Sequence, residues 1–324
     1  VVDTQLIALD WGTTSLRAYR FDGDGRVAES RQLPAGIMRV TADGGAPPGF
    51  EHAFDQVCGD WISAAPGSAI IACGMIGSAQ GWREAPYLEV PTSLDDLGRA
   101  LTRVETRSGA VLHIIPGLIE RGPLPEVMRG EETQVAGALG GAGSRPEAPR
   151  PDGGMWIGLP GTHSKWVRVR DRRVVHFKTF MTGEVFATLC AHTILGRTMR
   201  PPAMPDHHAF DRGVEIARSP QARAGVLSTI FSTRTLGLVG ALSAEAQADY
   251  LSGVLVGHEL AGLEGLGERL EPLVLVGGDV LCQRYRRALA MFGHGPAAIV
   301  PDATERGLWR VAVSAGLVSR GGGC

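Results

Sequence analysis

Gly12-Thr-Thr-Ser15 and Gly161-Thr-His-Ser164 share the pattern G-T-x-S, and each stands in the turn after an apolar, strand-like run. In such a turn glycine lets the backbone approach a ligand closely. Successive N–H groups can then point into one concavity, and the Thr and Ser hydroxyls add donors. The chemistry this suits is the binding of an anion. Two such turns facing each other across a cleft would take the β- and γ-phosphates of one nucleotide, through Gly12, Thr13, Thr14 and Ser15 on one side and Gly161, Thr162 and His163 on the other. Asp10 stands just before the first turn. A carboxylate there repels phosphate unless a cation intervenes, and Mg²⁺, which keeps several waters, meets that need. Either turn alone reads equally as an ordinary hairpin, with Asp10 a local turn acceptor. The pair gains force from a third element, Leu273-Val-Leu-Val-Gly-Gly-Asp279, where an apolar run passes through Gly277 and Gly278 into helix-forming sequence. Glycines there admit a ribose or flat ring beside a helix N-terminus, although a plain strand-to-helix turn needs them too. No G-x-x-x-x-G-K-[ST] occurs, which excludes a P-loop, and the close glycines of Gly137–Gly143 lie at a helix end, not between strand and helix.

The elements that must position these residues are legible from periodicity. Strands are predicted at Gln5–Asp10, Leu16–Asp22 and Arg26–Leu33, joined by tight turns into an antiparallel meander. Phe50, Phe54, Val57 and Trp61 form one stripe of a helix over Gly49–Ala64. Ala69–Cys73 and Val111–Ile115 read as buried strands, with a helix over Ser93–Arg107 capped by Ser93 between them. Such crossovers imply a parallel part of the sheet. Gly140–Gly154 reads as a linker. The pattern then restarts with strands at Met155–Leu159, Lys165–Arg170 and Arg173–Thr179. Helices follow at Thr182–Leu195, Asp206–Ser219, Gln221–Phe231 and Ser243–Leu266. A strand at Pro272–Val276, a helix to Phe292, a strand at Ala298–Val300 and a helix over Thr304–Val318 complete the chain. Two halves that open alike, each with the same turn pattern, point to duplication.

With 324 residues, two domains are expected. Hydrophobic residues make up 44% and charged residues 20%, which allows a substantial core. Lys+Arg is 32 against Asp+Glu 34, and this balance argues against a strongly basic nucleic-acid binder. The five cysteines are odd in number and lack C-x-x-C spacing, so neither a disulfide framework nor a zinc site is expected, and a cytoplasmic location is. No apolar run reaches ~18 residues, and the N-terminus lacks signal-peptide character, so no membrane association is expected. The start at Val1 suggests trimming.

LDWGTTSLRAYRFD, GLPGTHSKW and LVLVGGDVL resemble, in order and spacing, the phosphate-1, phosphate-2 and adenosine motifs of the sugar kinase/actin/Hsp70 superfamily. More narrowly, IACGMIGSAQGWREAPYLEVP, MRGEETQVAGAL, GLPGTHSKWV and FKTFMTGEVFATL resemble the 2-dehydro-3-deoxygalactonokinase family, over nearly the whole chain. The resemblance implies an α/β fold of two ribonuclease-H-like (actin-like ATPase) domains, with mixed sheets flanked by helices and the active-site cleft between them. It divides the chain at 1–127 and 128–324, with the last helix packing back toward the first domain. It implies ATP and Mg²⁺ as cofactors, a small-molecule sugar acid as partner, and no nucleic acid or membrane. Self-association is left open.

Phosphoryl transfer to a hydroxyl needs a clamp on the γ-phosphate, a metal and a carboxylate to receive the proton. The resemblance places the carboxylate in Met128-Arg-Gly-Glu-Glu-Thr-Gln134, at Glu131 or Glu132. These two are rotated by about 100° on a helix, so only one can face the substrate. Both would also suit the positive end of a helix dipole. Arg17 is placed to reach the transferring group or the acceptor, although it reads equally as an exposed strand arginine, and Asp10 is placed to hold the metal. Lys165 would pair with phosphate or with the substrate carboxylate. The loop after the Ala69–Cys73 strand supplies sugar-side candidates, Gly77, Ser78, Trp82 and Tyr87, with Arg83 and Glu84 nearby. The function expected is ATP-dependent phosphorylation of 2-dehydro-3-deoxy-D-galactonate to its 6-phosphate. A kinase for another sugar acid or sugar, an exopolyphosphatase-like phosphohydrolase and a non-enzymatic actin-like or sugar-sensing protein are the alternatives.

Overall fold

The computed structural model describes residues 4–42, 47–139, 154–267 and 270–319. Their contacts divide the chain into two units. Unit 1 takes the described residues of Val1–Gly154, Val167–Phe177 and Asp302–Cys324; unit 2 takes Met155–Trp166 and Lys178–Pro301. All but the last residue of the predicted linker Gly140–Gly154 lies outside the described residues.

Unit 1 begins with β1 (Leu6–Trp11), β2 (Leu16–Phe21) and β3 (Val27–Leu33), an antiparallel meander as predicted. After α1 (Ile37–Ala42) and α2 (Pro47–Ala64), β4 (Ala69–Gly74) returns parallel to β1 and brings Cys73 opposite Asp10. β1 reads as a near-continuous apolar run because, as a central strand, it buries both faces. Ile7, Leu9 and Trp11 pack with Phe50, Phe54, Val57 and Trp61, the predicted stripe of α2. A 3-10 turn at Met75–Gly77 leads to β5 (Tyr87–Glu89), β6 (Thr92–Ser93), α3 (Leu94–Arg99), β7 (Thr102–Glu105) and β8 (Val111–Ile114). The main sheet has the order β3-β2-β1-β4-β8-β7.

The helix predicted over Ser93–Arg107 is thus only half right. Ser93 does cap α3, through a reciprocal box with Asp96. Beyond Arg99 the residues Thr102, Val104 and Thr106 put β-branched side chains at alternate positions, and the chain pairs antiparallel with β8 instead. β9 (Gly117–Glu120) and β10 (Glu126–Met128) join β5 in a small sheet of order β10-β9-β5, and β10 leads into α4 (Glu131–Ala138).

Unit 2 is built on β11 (Gly154–Leu159), β12 (Ser164–Arg170) and β13 (Arg173–Phe180), the outer parts of β12 and β13 being counted with unit 1. There follow α5 (Thr182–His192), α6 (His207–Arg218), α7 (Val226–Thr229), α8 (Ser232–Leu238), α9 (Gln247–Glu264), β14 (Leu273–Val276), α10 (Asp279–Met291) and β15 (Ala298–Val300). The predicted helix over Gln221–Phe231 is broken at Gly225, whose φ is +87°. The order β13-β12-β11-β14-β15 repeats β3-β2-β1-β4-β8, which is what a duplication leaves behind. Trp156, Trp166, Phe210, Leu260, Leu275 and Tyr285 share one core.

The chain then returns to unit 1 as α11 (Ala303–Ser314). It packs on α4 at backbone contact. A Cβ on Gly137 would lie 1.8 Å from Ala303 O, and one on Gly307 would lie 1.9 Å from Thr133 O. Only glycine permits that approach, which carries Glu305 of α11 toward the end of β1. No helix among the described residues is long and apolar enough to cross a membrane.

Candidate active site

In unit 1 the ends of three adjacent strands and the start of α4 bring acidic groups together. Asp10 is registered between Arg17 on β2 and Cys73 on β4. Arg17 Nη1 lies 3.7 Å from Asp10 Oδ2, and the Cys73 thiol donates to Asp10 Oδ1 at 3.9 Å. Burial pushes the Asp10 carboxyl above its ordinary value; Arg17 opposes this, and the charges of Glu305 and Glu131 add to it. The same burial raises the Cys73 thiol well above its usual range, and Asp10 and Glu132 push further in that direction.

The first turn is fixed from two sides. Gly12 N donates to Ser15 O at 2.9 Å, while Ile37 N and Met38 N of α1 donate to the carbonyls of Gly12 and Thr13 at 3.1 and 3.2 Å. Thr13 and Thr14 remain exposed, as anion donors must be.

The two adjacent glutamates have different surroundings. Glu132 is fully buried. Its carboxylate accepts from Gly130 N at 2.6 Å and from Thr133 Oγ1 at 3.1 Å. Burial, with the charge of Glu131 second, pushes it up to about 8, against the pull of those donors. Glu131 is partly exposed, accepts from Arg129 N at 3.1 Å and acts electrostatically on Asp10. The rotation expected between neighbouring helical residues thus leaves one carboxylate accessible and one sealed.

The sugar-side candidates separate in the same way. Gly77, Ala85 and Tyr87 gather around Arg129, a residue that sequence reasoning passed over although it precedes Gly130 and Glu131. Arg129 Nη2 donates to Ala85 O at 2.8 Å, and its guanidinium carbon lies 4.3 Å from the centre of the Tyr87 ring. Ser78 Oγ donates to Met75 O at 2.8 Å. Trp82 stands in an aromatic cluster with Trp11, Phe50 and Phe54. Arg83 and Glu84 are exposed.

In unit 2 the second turn is held by the first turn of α5. Glu184 N donates to Thr162 O at 2.9 Å, and His163 Nε2 pairs with the Glu184 carboxylate. A Cβ on Gly183 would fall 2.3 Å from Gly161 O, so the contact requires glycine. Thr182 Oγ1 donates to Glu259, which also accepts from Trp166 Nε1 at 2.7 Å and Tyr285 Oη at 2.8 Å. Burial raises the Glu259 carboxyl, and these donors hold it down. Tyr285 Oη lies 3.0 Å from Ser164 Oγ, so one buried carboxylate ties β12, α5, α9 and α10 behind the turn. Lys165 is buried too, with Nζ donating to Thr179 Oγ1 at 2.8 Å. Gly277 lies against Pro160, a Cβ there being 3.6 Å from its carbonyl, so the glycine pair and the second turn are neighbours. Gly277 has φ +141°, and Gly278 caps α10.

No group of three or more His, Cys, Asp or Glu side chains among the described residues is arranged as a metal cage. A lone carboxylate such as Asp10 still fits Mg²⁺, which binds through one or two carboxylates and keeps its waters. The negative charges around Asp10 favour a cation there.

The family model described as 2-keto-3-deoxy-galactonokinase matches residues 10–311. The 2-dehydro-3-deoxygalactonokinase of Escherichia coli K12 is 35% identical over 297 residues, 91% of this chain and 93% of the relative. A crystal structure of a Sinorhizobium meliloti protein assigned as a 2-dehydro-3-deoxygalactonokinase superposes with a TM-score of 0.84 at 35% identity, covering 95% of this chain and 98% of that one. The activator of 2-hydroxyisocaproyl-CoA dehydratase from Clostridium difficile, solved with bound ADPNP, shares the fold at a TM-score of 0.52 and 12% identity, with 96% and 93% covered.

Proposed function

The chain belongs to the 2-keto-3-deoxy-galactonokinase family and is a kinase, and from that premise we propose that it transfers the γ-phosphoryl group of ATP to 2-dehydro-3-deoxy-D-galactonate, giving the 6-phosphate. The observation that carries the reading is the setting of Glu131. It is a partly exposed carboxylate at the start of α4 whose charge acts on Asp10, the residue that Arg17 faces, and its neighbour Glu132 is sealed away.

Glu131 receives the proton of the acceptor hydroxyl as the new P–O bond forms. Glu132 holds the N-terminus of α4 through Gly130 N and keeps its partner's orientation fixed. Arg17 meets the charge that develops on the transferring group. Gly12, Thr13, Thr14 and Ser15 donate to phosphate, as do Gly161, Thr162 and His163 and, more deeply, Lys165 behind the second turn. Gly277 and Gly278 leave room for the adenosine. Asp10 holds Mg²⁺, which when bound offsets the negative charge of the phosphates. Gly77, Ser78 and Tyr87 line the sugar side, with Trp82 behind them. The enzyme works in the cytoplasm on a small sugar acid, without nucleic acid or membrane.

A coupled ADP-release assay over a panel of 2-keto-3-deoxy acids tests this, with the galactonate- and gluconate-derived epimers compared. ADP formation that depends on the galactonate-derived acid is expected. Phosphate release without any acceptor would point to a phosphohydrolase, and preference for another acceptor would reassign the substrate.

A further inference from the structure

Arg129, in unit 1, is a buried cation whose surroundings call for an anion that the described residues do not supply. It lies between β10 and α4 and is nine-tenths buried, at 9% exposure. Nη2 is satisfied by Ala85 O, and one face of the guanidinium lies on the Tyr87 ring. Nε and Nη1 are buried and have no hydrogen-bond partner. Among the described residues no carboxylate pairs with it. A guanidinium cannot shed its proton to relieve burial, so its charge and its two orphan donors stay in place until an anion meets them.

The surroundings suit a small organic anion. Nη1 borders Gly77, where an added Cβ would lie 2.9 Å from it and equally close to Ile114 Cγ2. The other two atoms nearest that Cβ position, Ile114 Cγ2 and Ala85 Cβ, are apolar. Tyr87, which covers the guanidinium, is itself 40% exposed, so it is the wall that an entering ligand can displace. The Arg129 main-chain N–H donates to Glu131 Oε2. The anion-seeking group and the carboxylate that receives the proton therefore stand on one short turn.

We propose that Arg129 binds the C1 carboxylate of the 2-keto acid acceptor, through Nε and Nη1, and so selects a sugar acid over a neutral sugar. This rests on the reading of the chain as a sugar-acid kinase. Tyr87 leaves the guanidinium face as the acceptor enters, and the turn through Gly130 sets the span from the carboxylate to the hydroxyl presented to Glu131. Arginine is suited to the role because its charge is permanent and its donors are planar.

The test compares kcat/KM for 2-dehydro-3-deoxygalactonate and for its neutral C1 amide in the wild-type chain, Arg129→Met and Arg129→Lys. The wild type should prefer the acid by at least about 100-fold, the scale of a buried charge pair broken on one side. In Arg129→Met that preference should fall to within about 10-fold, through KM for the acceptor, with KM for ATP within about threefold of wild type. An acid-to-amide ratio unchanged in Arg129→Met would overturn the proposal, since a purely structural role lowers both substrates together. If Arg129→Met does not fold, Arg129→Lys is read by the same ratio: a drop of about tenfold or more supports the proposal, and a wild-type ratio overturns it. A wild-type chain that turns over acid and amide equally also overturns it. A wild-type chain that forms no ADP with the acid overturns the kinase reading beneath it, which is a different result.

Discussion

Replacing Glu132 by Gln should make the protein more stable in alkaline buffer and leave it almost unchanged in acid. The structure supplies the magnitude. Glu132 is fully buried, and its carboxyl is pushed from 4.5 to about 8, chiefly by burial. In the unfolded chain it ionises at the ordinary value. Its folded-state pKa is raised, so its contribution to stability is intact below pH 4.5, declines as pH rises, and is lost above about 8. At 1.36 kcal/mol per pH unit, the full loss is at most about 5 kcal/mol, and solvent relaxation makes the observable part smaller. Glutamine mimics the protonated acid in shape. Its Oε1 can still accept from Gly130 N, and its Nε2 can donate to the Thr133 hydroxyl where the carboxylate accepted, so it keeps the α4 cap without the pH-dependent cost. The assay is thermal unfolding of both proteins from pH 5 to pH 9. With about 2–4 °C per kcal/mol for a domain of ~150–250 residues, the variant should gain on the order of 10 °C over wild type by pH 8.5 and nearly nothing at pH 5. A difference in Tm that stays flat with pH would refute the reasoning, because it would mean that Glu132 titrates alike in both states.

Three further outcomes follow from the second turn and from α4. Gly183→Ala places a Cβ 2.3 Å from Gly161 O and should raise KM for ATP by about tenfold or more, with acceptor KM little changed; steady-state kinetics with each substrate varied decides it. Tyr285→Phe removes a buried donor from Glu259 and the partner of Ser164, and should cost about 1–3 kcal/mol by urea unfolding. Gly307→Ala drives a Cβ to 1.9 Å from Thr133 O at the α4–α11 crossing, so Tm should fall by more than 5 °C, with about 1–3 kcal/mol or more lost to overpacking.

Local signals carried most of the element assignment. The meander of β1 to β3, the α2 stripe, the buried strands and the glycine turns are all set by residues near in sequence. Non-local packing decided what was missed. The end of α3 is governed by the pairing of Val104 with Leu112, and the small sheet of β5, β9 and β10 has too few residues per strand to show a period. The candidate site shows the same division. Asp10, Arg17 and the Glu131–Glu132 pair stand in short motifs and could be picked out. Glu305 could not, since it reaches the neighbourhood of Asp10 only when α11 packs against β1, β4 and α4 in the folded chain. Glu259 is one of three carboxylates in a largely apolar helix, and its four-element hydrogen-bond set exists only in the folded chain. Arg129 had a weak signal, an arginine next to the proposed base, but nothing in sequence spacing tells a buried arginine from a solvated one. Lys165 makes the same point: nothing in its sequence spacing shows that it is buried, with Nζ on Thr179.

The most direct measurement is single-turnover phosphoryl transfer by Glu131→Gln, with ATP affinity determined on the same protein by calorimetry. Transfer should fall by about 100-fold or more while ATP binding stays within about threefold of wild type. Transfer at the wild-type rate in Glu131→Gln, with loss in Glu132→Gln instead, would contradict that expectation and give the proton-accepting role to the buried carboxylate.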